Sequence, residues 1–142
     1  MRSCSRYLLL IVTAWVVSTV GMGCGGGGKD PKAYVPSSAD AQQALTMSLD
    51  AWKASAAHDP VGKLASGVKV KAIDLDWAEG KKLASYSGLK EIPGAGVGPK
   101  NFSVKLKYQE GPEIDATYLV VGIDPLQVFR DKDYERYFGM DK

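Results

Sequence analysis

The sequence predicts an α+β fold, with one long N-terminal helix packed on a four- to five-stranded antiparallel sheet. Three observations predict it. Ala41, Leu45, Leu49, Trp52 and Ala56 recur at three- and four-residue spacing, the mark of an amphipathic helix. Past Pro60 the period changes to two: Phe102, Val104, Leu106 and Tyr108 alternate with Ser103, Lys105 and Lys107. Breakers at Pro93–Pro99, Gly111-Pro112 and Asp124-Pro125 then divide the strand-forming stretches with connections short enough for a meander.

The helix comes first. Ser37 or Ser38 caps it, and Asp40 falls in the first turn, where the helix dipole favours negative charge. Gln42, Gln43, Asp50 and Lys53 lie off the apolar stripe. His58-Asp59-Pro60 ends it, because a residue before proline avoids helical geometry. Val68, Val70 and Ala72 then alternate with Lys69, Lys71 and Ile73. A phase shift to Ile73, Leu75 and Trp77 predicts a bulge near Ala72. Residues 78–82 make a helical turn around Gly80, and Leu83 to Ile92 reads as a strand of weaker pattern. Pro93 to Pro99 is a loop, and Phe102 to Tyr108 is the cleanest strand. Ile114 to Ile123 returns antiparallel. Its residues Tyr118 to Val121 are apolar on both faces, as in a central strand or one covered by a partner. Leu126 to Arg130 is a last short strand and Asp131 to Phe138 a terminal helical turn.

Ahead of this domain stands a leader. Arg2 and Arg6 precede an apolar run from Leu8 to Val20, shorter than the roughly 20 residues of a membrane-spanning helix. Gly21, Met22 and Gly23 lead into Cys24. This order resembles the lipobox of bacterial lipoproteins, although Gly21 stands where that pattern prefers an aliphatic residue and Val20 is one place early. Ordinary signal cleavage or a short uncleaved anchor are the competing readings. The resemblance implies a signal peptide over residues 1–23, removed so that Cys24 becomes a lipidated N-terminus holding the protein to a membrane. Gly25 after the cysteine implies the periplasmic face of the outer membrane rather than the inner. Residues 24–38, with Gly25–Gly28, Pro31 and Pro36, read as a flexible tether with an r.m.s. reach on the order of 20 Å. Residues 39–142 form one domain without an internal repeat.

The full chain carries 18 Lys and Arg against 16 Asp and Glu. The excess is Arg2 and Arg6, both in the leader, so the remainder is balanced. That argues against nucleic-acid binding, which rests on clustered positive charge. Cys4 leaves with the leader and Cys24 becomes a thioether. No thiol is then left for a disulfide, a nucleophile or a metal site. No cofactor is expected.

Several motifs resemble chemistry. Gly23 to Lys29 matches phosphate-loop spacing, but Asp30 occupies the hydroxyl position, Pro31 follows, and no strand precedes it. Gly94 to Gly98 offers backbone amides to an anion, and a hairpin tip explains it more simply. His58, the only histidine, reads as a solvated helix end rather than a proton shuttle. Asp74 and Asp76 are spaced to share one face of a strand, where paired carboxylates serve acid–base work or hold a cation. Tyr86, Tyr108 and Tyr118 line a pocket between helix and sheet, or simply pack its core. Lys69, Lys71, Lys105 and Lys107 make a basic face or guard exposed strands.

The leading helix, the Asp-x-Asp-Trp step at Asp74–Trp77, the Leu-x-x-Tyr of Leu83–Tyr86 and two long hairpin strands together resemble the cystatin/NTF2-like fold. LDAWK (Leu49–Lys53), DLDWAEGKKL (Asp74–Leu83) and YLVVGIDP (Tyr118–Pro125) narrow this to small bacterial lipoproteins of that fold, a resemblance that carries no known activity. The cystatin inhibitory hairpin Gln-x-Val-x-Gly is not reproduced. The expectation is a lipid-anchored cell-envelope protein that binds a partner protein, a second copy or a ligand without catalysis. The alternative is an NTF2-like carrier or enzyme with Asp74, Asp76 or Tyr118 as acid–base group.

Overall fold

The computed structural model describes residues 31–94 and 97–139. The leader, Cys24, the glycine run and residues 95–96 of the glycine-rich loop lie outside them. Residues 31–37, expected to belong to the tether, already lie against the domain. Pro31–Tyr34 makes a 3-10 turn, Pro36 is buried, and Tyr34 faces Val97 and Tyr134 across a cleft.

Helix α1 spans Ser38–Lys53 and is capped by Ser37, whose Oγ accepts from the Asp40 amide at 3.0 Å. It ends before His58. Ser55 adopts φ +58°, the Ser55 amide donates to the Trp52 carbonyl, and the Ala56 amide donates to the Ala51 carbonyl. This is a Schellman end with serine where glycine is usual, so the sequence carries little warning of it. Ala56 therefore leaves the apolar stripe and is exposed, while Ala44 and Ser48 join the buried face.

The strands are β1 (Gly62–Lys63), β2 (Lys69–Ile73), β3 (Leu83–Ile92), β4 (Lys100–Tyr108), β5 (Glu113–Val121) and β6 (Leu126–Arg130). Two short helices, α2 (Leu75–Ala78) and α3 (Asp131–Tyr137), complete the elements. The sheet runs β1-β2-β6-β5-β4-β3. It is six-stranded and mixed, which corrects the expected four- to five-stranded antiparallel sheet. β3 to β6 form the expected meander, but β2 joins β6 in parallel, Val70 opposite Leu126 through Ile73 opposite Phe129. The phase shift after Ala72 is not a bulge. It marks the chain leaving β2 for α2.

α1 touches β2 and β3 as well as β5 and β6. β2 and β3 lie four strand spacings apart, about 19 Å in a flat sheet. A helix about 10–12 Å wide reaches both only if the sheet curls around it. Inside that curl Leu45, Leu49 and Trp52 pack with Val70, Phe102, Val104, Leu106, Val120, Leu126 and Val128, all nearly inaccessible. The outer face is covered locally by α3. Phe129 is fully buried there under Tyr134, Tyr137 and Phe138, with ring centroids 5.3–5.9 Å away. On the same face Lys105 stands opposite Asp115 and Lys107 opposite Glu113, while Lys71 pairs with Asp59 at 2.6 Å. The lysines thus face acidic partners instead of forming a basic surface.

Candidate functional site

The structure gathers Asp74, Asp76, Tyr108 and Tyr118 where α2, β4, β5, β6 and α3 converge. Neither aspartate stands on a strand. Asp74 caps α2, accepting from the Trp77 amide at 3.3 Å on Oδ1 and from the Tyr118 hydroxyl at 2.6 Å on Oδ2. Asp76 lies two residues on, in the first turn of α2, and accepts from four groups. The Lys81 ammonium donates to Oδ1 at 2.6 Å. On Oδ2 the Tyr108 hydroxyl donates at 2.8 Å and Lys132 at 3.0 Å, joined there by the Arg130 guanidinium. Arg130 also donates to the Tyr108 oxygen at 3.0 Å. Asp133, buried at the start of α3, accepts from the Leu75 amide at 2.9 Å and so holds the first turn of α2.

Asp74, Asp76, Arg130 and Asp133 are each no more than 5% exposed. Their surroundings move the two central carboxyls in opposite directions. Burial is the largest influence on Asp74 and raises its pKa, against the Tyr118 hydrogen bond and the Arg130 charge. Burial also pushes Asp76 upward, but hydrogen bonds from Lys81, Tyr108 and Lys132, with the charge of Arg130, outweigh it and hold Asp76 well below the usual carboxylate range. Burial first, then the Asp76 hydrogen bond, raises Tyr108 to about 12. Tyr118 is raised further, by burial and by Asp74. Arg130 is raised despite its burial, chiefly by the charge of Asp74.

Tyr86 does not join this group. Its hydroxyl donates to Asp50 at 2.9 Å on the outer side of α1, and burial with that bond raises it to about 12. His58 stands edge-on to Trp77, with centroids 5.8 Å apart, away from the end of α1. Sequence reasoning missed Arg130, Lys81, Lys132 and Asp133. For Arg130 a signal existed: it shares the inward phase of β6 with Leu126 and Val128, and a charge on that phase requires a buried partner.

Between α1, α2 and the sheet lies a gap of about 10 Å³, walled by Trp52, Trp77, Asp74 and Tyr118. Trp52 stacks on Trp77 at 5.7 Å, meets Tyr108 edge-on at 5.8 Å, and donates from Nε1 to the Lys81 carbonyl at 2.7 Å. A gap of this size holds at most one water. Larger concavities at the surface include 650 Å³ along the outer side of α1, by Gln43, Met47 and Leu64, 460 Å³ by Glu91, Val97 and Lys100, and 410 Å³ beside Lys81, Tyr108 and Glu110. Among the described residues no group of three His, Cys, Asp or Glu is placed to hold a metal, and no buried side-chain polar atom lacks a partner.

Chemically, this cluster is a clasp. Proton transfer needs a group that changes protonation near the working pH and faces substrate. Four donors favour the anion of Asp76, and burial favours the neutral hydroxyl of Tyr108 and Tyr118. Asp74, raised by burial, accepts from Tyr118 and caps the start of α2. No family model matches the chain, and comparison with curated proteins and with solved structures found no match.

Proposed function

We propose that the chain is a lipid-anchored protein of the bacterial cell envelope whose domain is a non-catalytic binding module. The observation that carries this reading is the order Arg2, Arg6, apolar run, small residues, Cys24 at the N-terminus. Among the described residues no helix is long and apolar enough to cross a membrane. Lipid on Cys24 is then the membrane attachment, and Gly25 favours the periplasmic face of the outer membrane. A helix laid in the curl of a sheet supports a cystatin/NTF2-like domain, here with a parallel β2–β6 junction. The filled interior and the saturated Asp76 support binding over catalysis. A partner protein or a second copy would dock on the outside of the domain, since the gap beside Trp52 and Tyr118 holds at most one water.

The test is membrane fractionation of the full chain and its Cys24→Ala variant. The parent is expected in the membrane fraction and the variant in the soluble fraction. Unchanged membrane retention of Cys24→Ala would refute the anchor.

A further inference from the structure

The described residues carry six large hydrophobic side chains that are more than a third exposed: Tyr34, Ile92, Val97, Ile123, Tyr137 and Phe138. Scattered singly, such residues need no explanation. Tyr34, Ile92, Val97 and Ile123 gather at one end of the sheet, and Tyr137 and Phe138 lie on the outer face beside it, over Phe129. Ile92 stands opposite Asn101 at the start of β4, Val97 lies in the loop entering β4, and Ile123 follows the end of β5. Tyr34 shares a cleft of about 260 Å³ with Val97, Val121 and Tyr134. From Tyr134 the apolar surface continues through Phe138, at 4.8 Å between centroids, to Tyr137, at 5.3 Å. The opposite end of β4, about 27 Å away along the strand, leads to the exposed Gln109 and Glu110. The apolar end is rimmed by charge, with Lys100 paired to Glu91 at 3.7 Å and Lys32 beside Ile92 and Val97, and an apolar patch with a polar rim marks an interaction surface.

The chain enters at the apolar end. Seven peptide units separate Cys24 from Pro31 and span at most about 25 Å. A lipid on Cys24 therefore keeps this end within that distance of the bilayer. Tyrosine, with an apolar ring and a polar tip, suits the level of the lipid headgroups. We infer that the occupant of this surface is the lipid bilayer itself, with Tyr34, Tyr137 and Phe138 seated at the headgroup layer and the Glu110 hairpin pointing away. The inference rests on the lipidation of Cys24 proposed above. It turns a loose attachment into an oriented one, because apolar side chains add to the hold of the acyl chains.

The test uses the full chain, purified from membranes and reconstituted into vesicles of phosphatidylethanolamine and phosphatidylglycerol brominated on their acyl chains. Bromine quenches tryptophan at close range. Phe138→Trp and Tyr34→Trp each report the apolar end, Glu110→Trp reports the far end, and the parent emission is subtracted. An interfacial side chain lies within about 5–10 Å of the acyl boundary, so about a twofold loss of the added emission is expected for the first two and none for Glu110→Trp. Intact mass on the same material reads the state of Cys24. A lipidated chain in which neither Phe138→Trp nor Tyr34→Trp is quenched overturns this inference and leaves the anchor standing. Equal quenching of all three variants also overturns it. Chain-to-chain crosslinks through the apolar end in place of quenching overturn it in favour of a second copy. An unmodified Cys24 overturns the anchor and the inference together.

Discussion

At Asp74 and Asp76 two carboxylates of one helical turn face opposite fates. Asp76 has a folded-state pKa below its unfolded value near about 3.9. Its contribution to stability is therefore present above that value and is lost as the pH falls through the depressed folded value. Asp74 is raised, so the sign reverses: its favourable contribution is complete below the unfolded value and is lost as the pH rises through the folded one. Substitution separates them. Asp76→Asn removes the carboxylate that Arg130 bonds directly, and breaking a buried pair costs about 3–5 kcal/mol. Lys81 and Lys132 are half exposed and relax into water. Asp74→Asn keeps an oxygen for only one of its two donors, the Trp77 amide or the Tyr118 hydroxyl, and is expected to cost about 1–3 kcal/mol, less than Asp76→Asn. Urea midpoints at neutral pH and again near about pH 3 check both claims. Asp76→Asn should also flatten the acid loss of stability. An Asp74→Asn variant as unstable as Asp76→Asn would show instead that Asp74 serves as an essential anion.

Among the elements, α1, α2 and the far end of β4 meet at one side chain. Trp52 is 2% exposed, stacks on Trp77 and bonds to the loop after α2. Trp52→Ala empties that junction and is expected to cost about 3–5 kcal/mol, measured by denaturant unfolding. A cost below about 1 kcal/mol would mean that the helix is held elsewhere. The elements also differ in how openly the sequence states them. β3 and β6 occupy the predicted Leu83–Ile92 and Leu126–Arg130, because period two and flanking breakers are local signals. The end of α1 and the start of α2 were hidden for local reasons as well. Ser55 takes a conformation usually left to glycine, and the alternating Ile73, Leu75 and Trp77 imitate a strand. The parallel join of β2 to β6 leaves no periodic trace, since it depends on pairing across more than fifty residues.

For the molecule as a whole, the site was legible only in part. Asp74, Asp76, Tyr108 and Tyr118 could be picked out by residue type, and they do converge. Tyr86 could be chosen on the same ground and lies elsewhere, because only the fold decides which face of β3 meets α1. What the pattern could not convey is that Arg130, Lys81 and Lys132 close over Asp76 and turn a candidate acid–base pair into a fastening between five elements. That fastening has a consequence for unfolding. α2 and α3 make few contacts of their own outside the clasp and the aromatic cover on Phe129, while α1 is wrapped by strands from both halves of the sheet. α1, α2 and the sheet share one core through Trp52 and Trp77, so the domain is expected to unfold in one cooperative step, as single domains of this size do. Trp52 and Trp77 sit at the helix–sheet junction and report tertiary packing; far-ultraviolet circular dichroism reports the backbone. The two melting curves of the chain should coincide. A tryptophan transition that precedes the backbone transition would mean that α1 detaches from a sheet stable by itself, and that the Trp52–Trp77 stack does not tie α1 to α2 and the sheet.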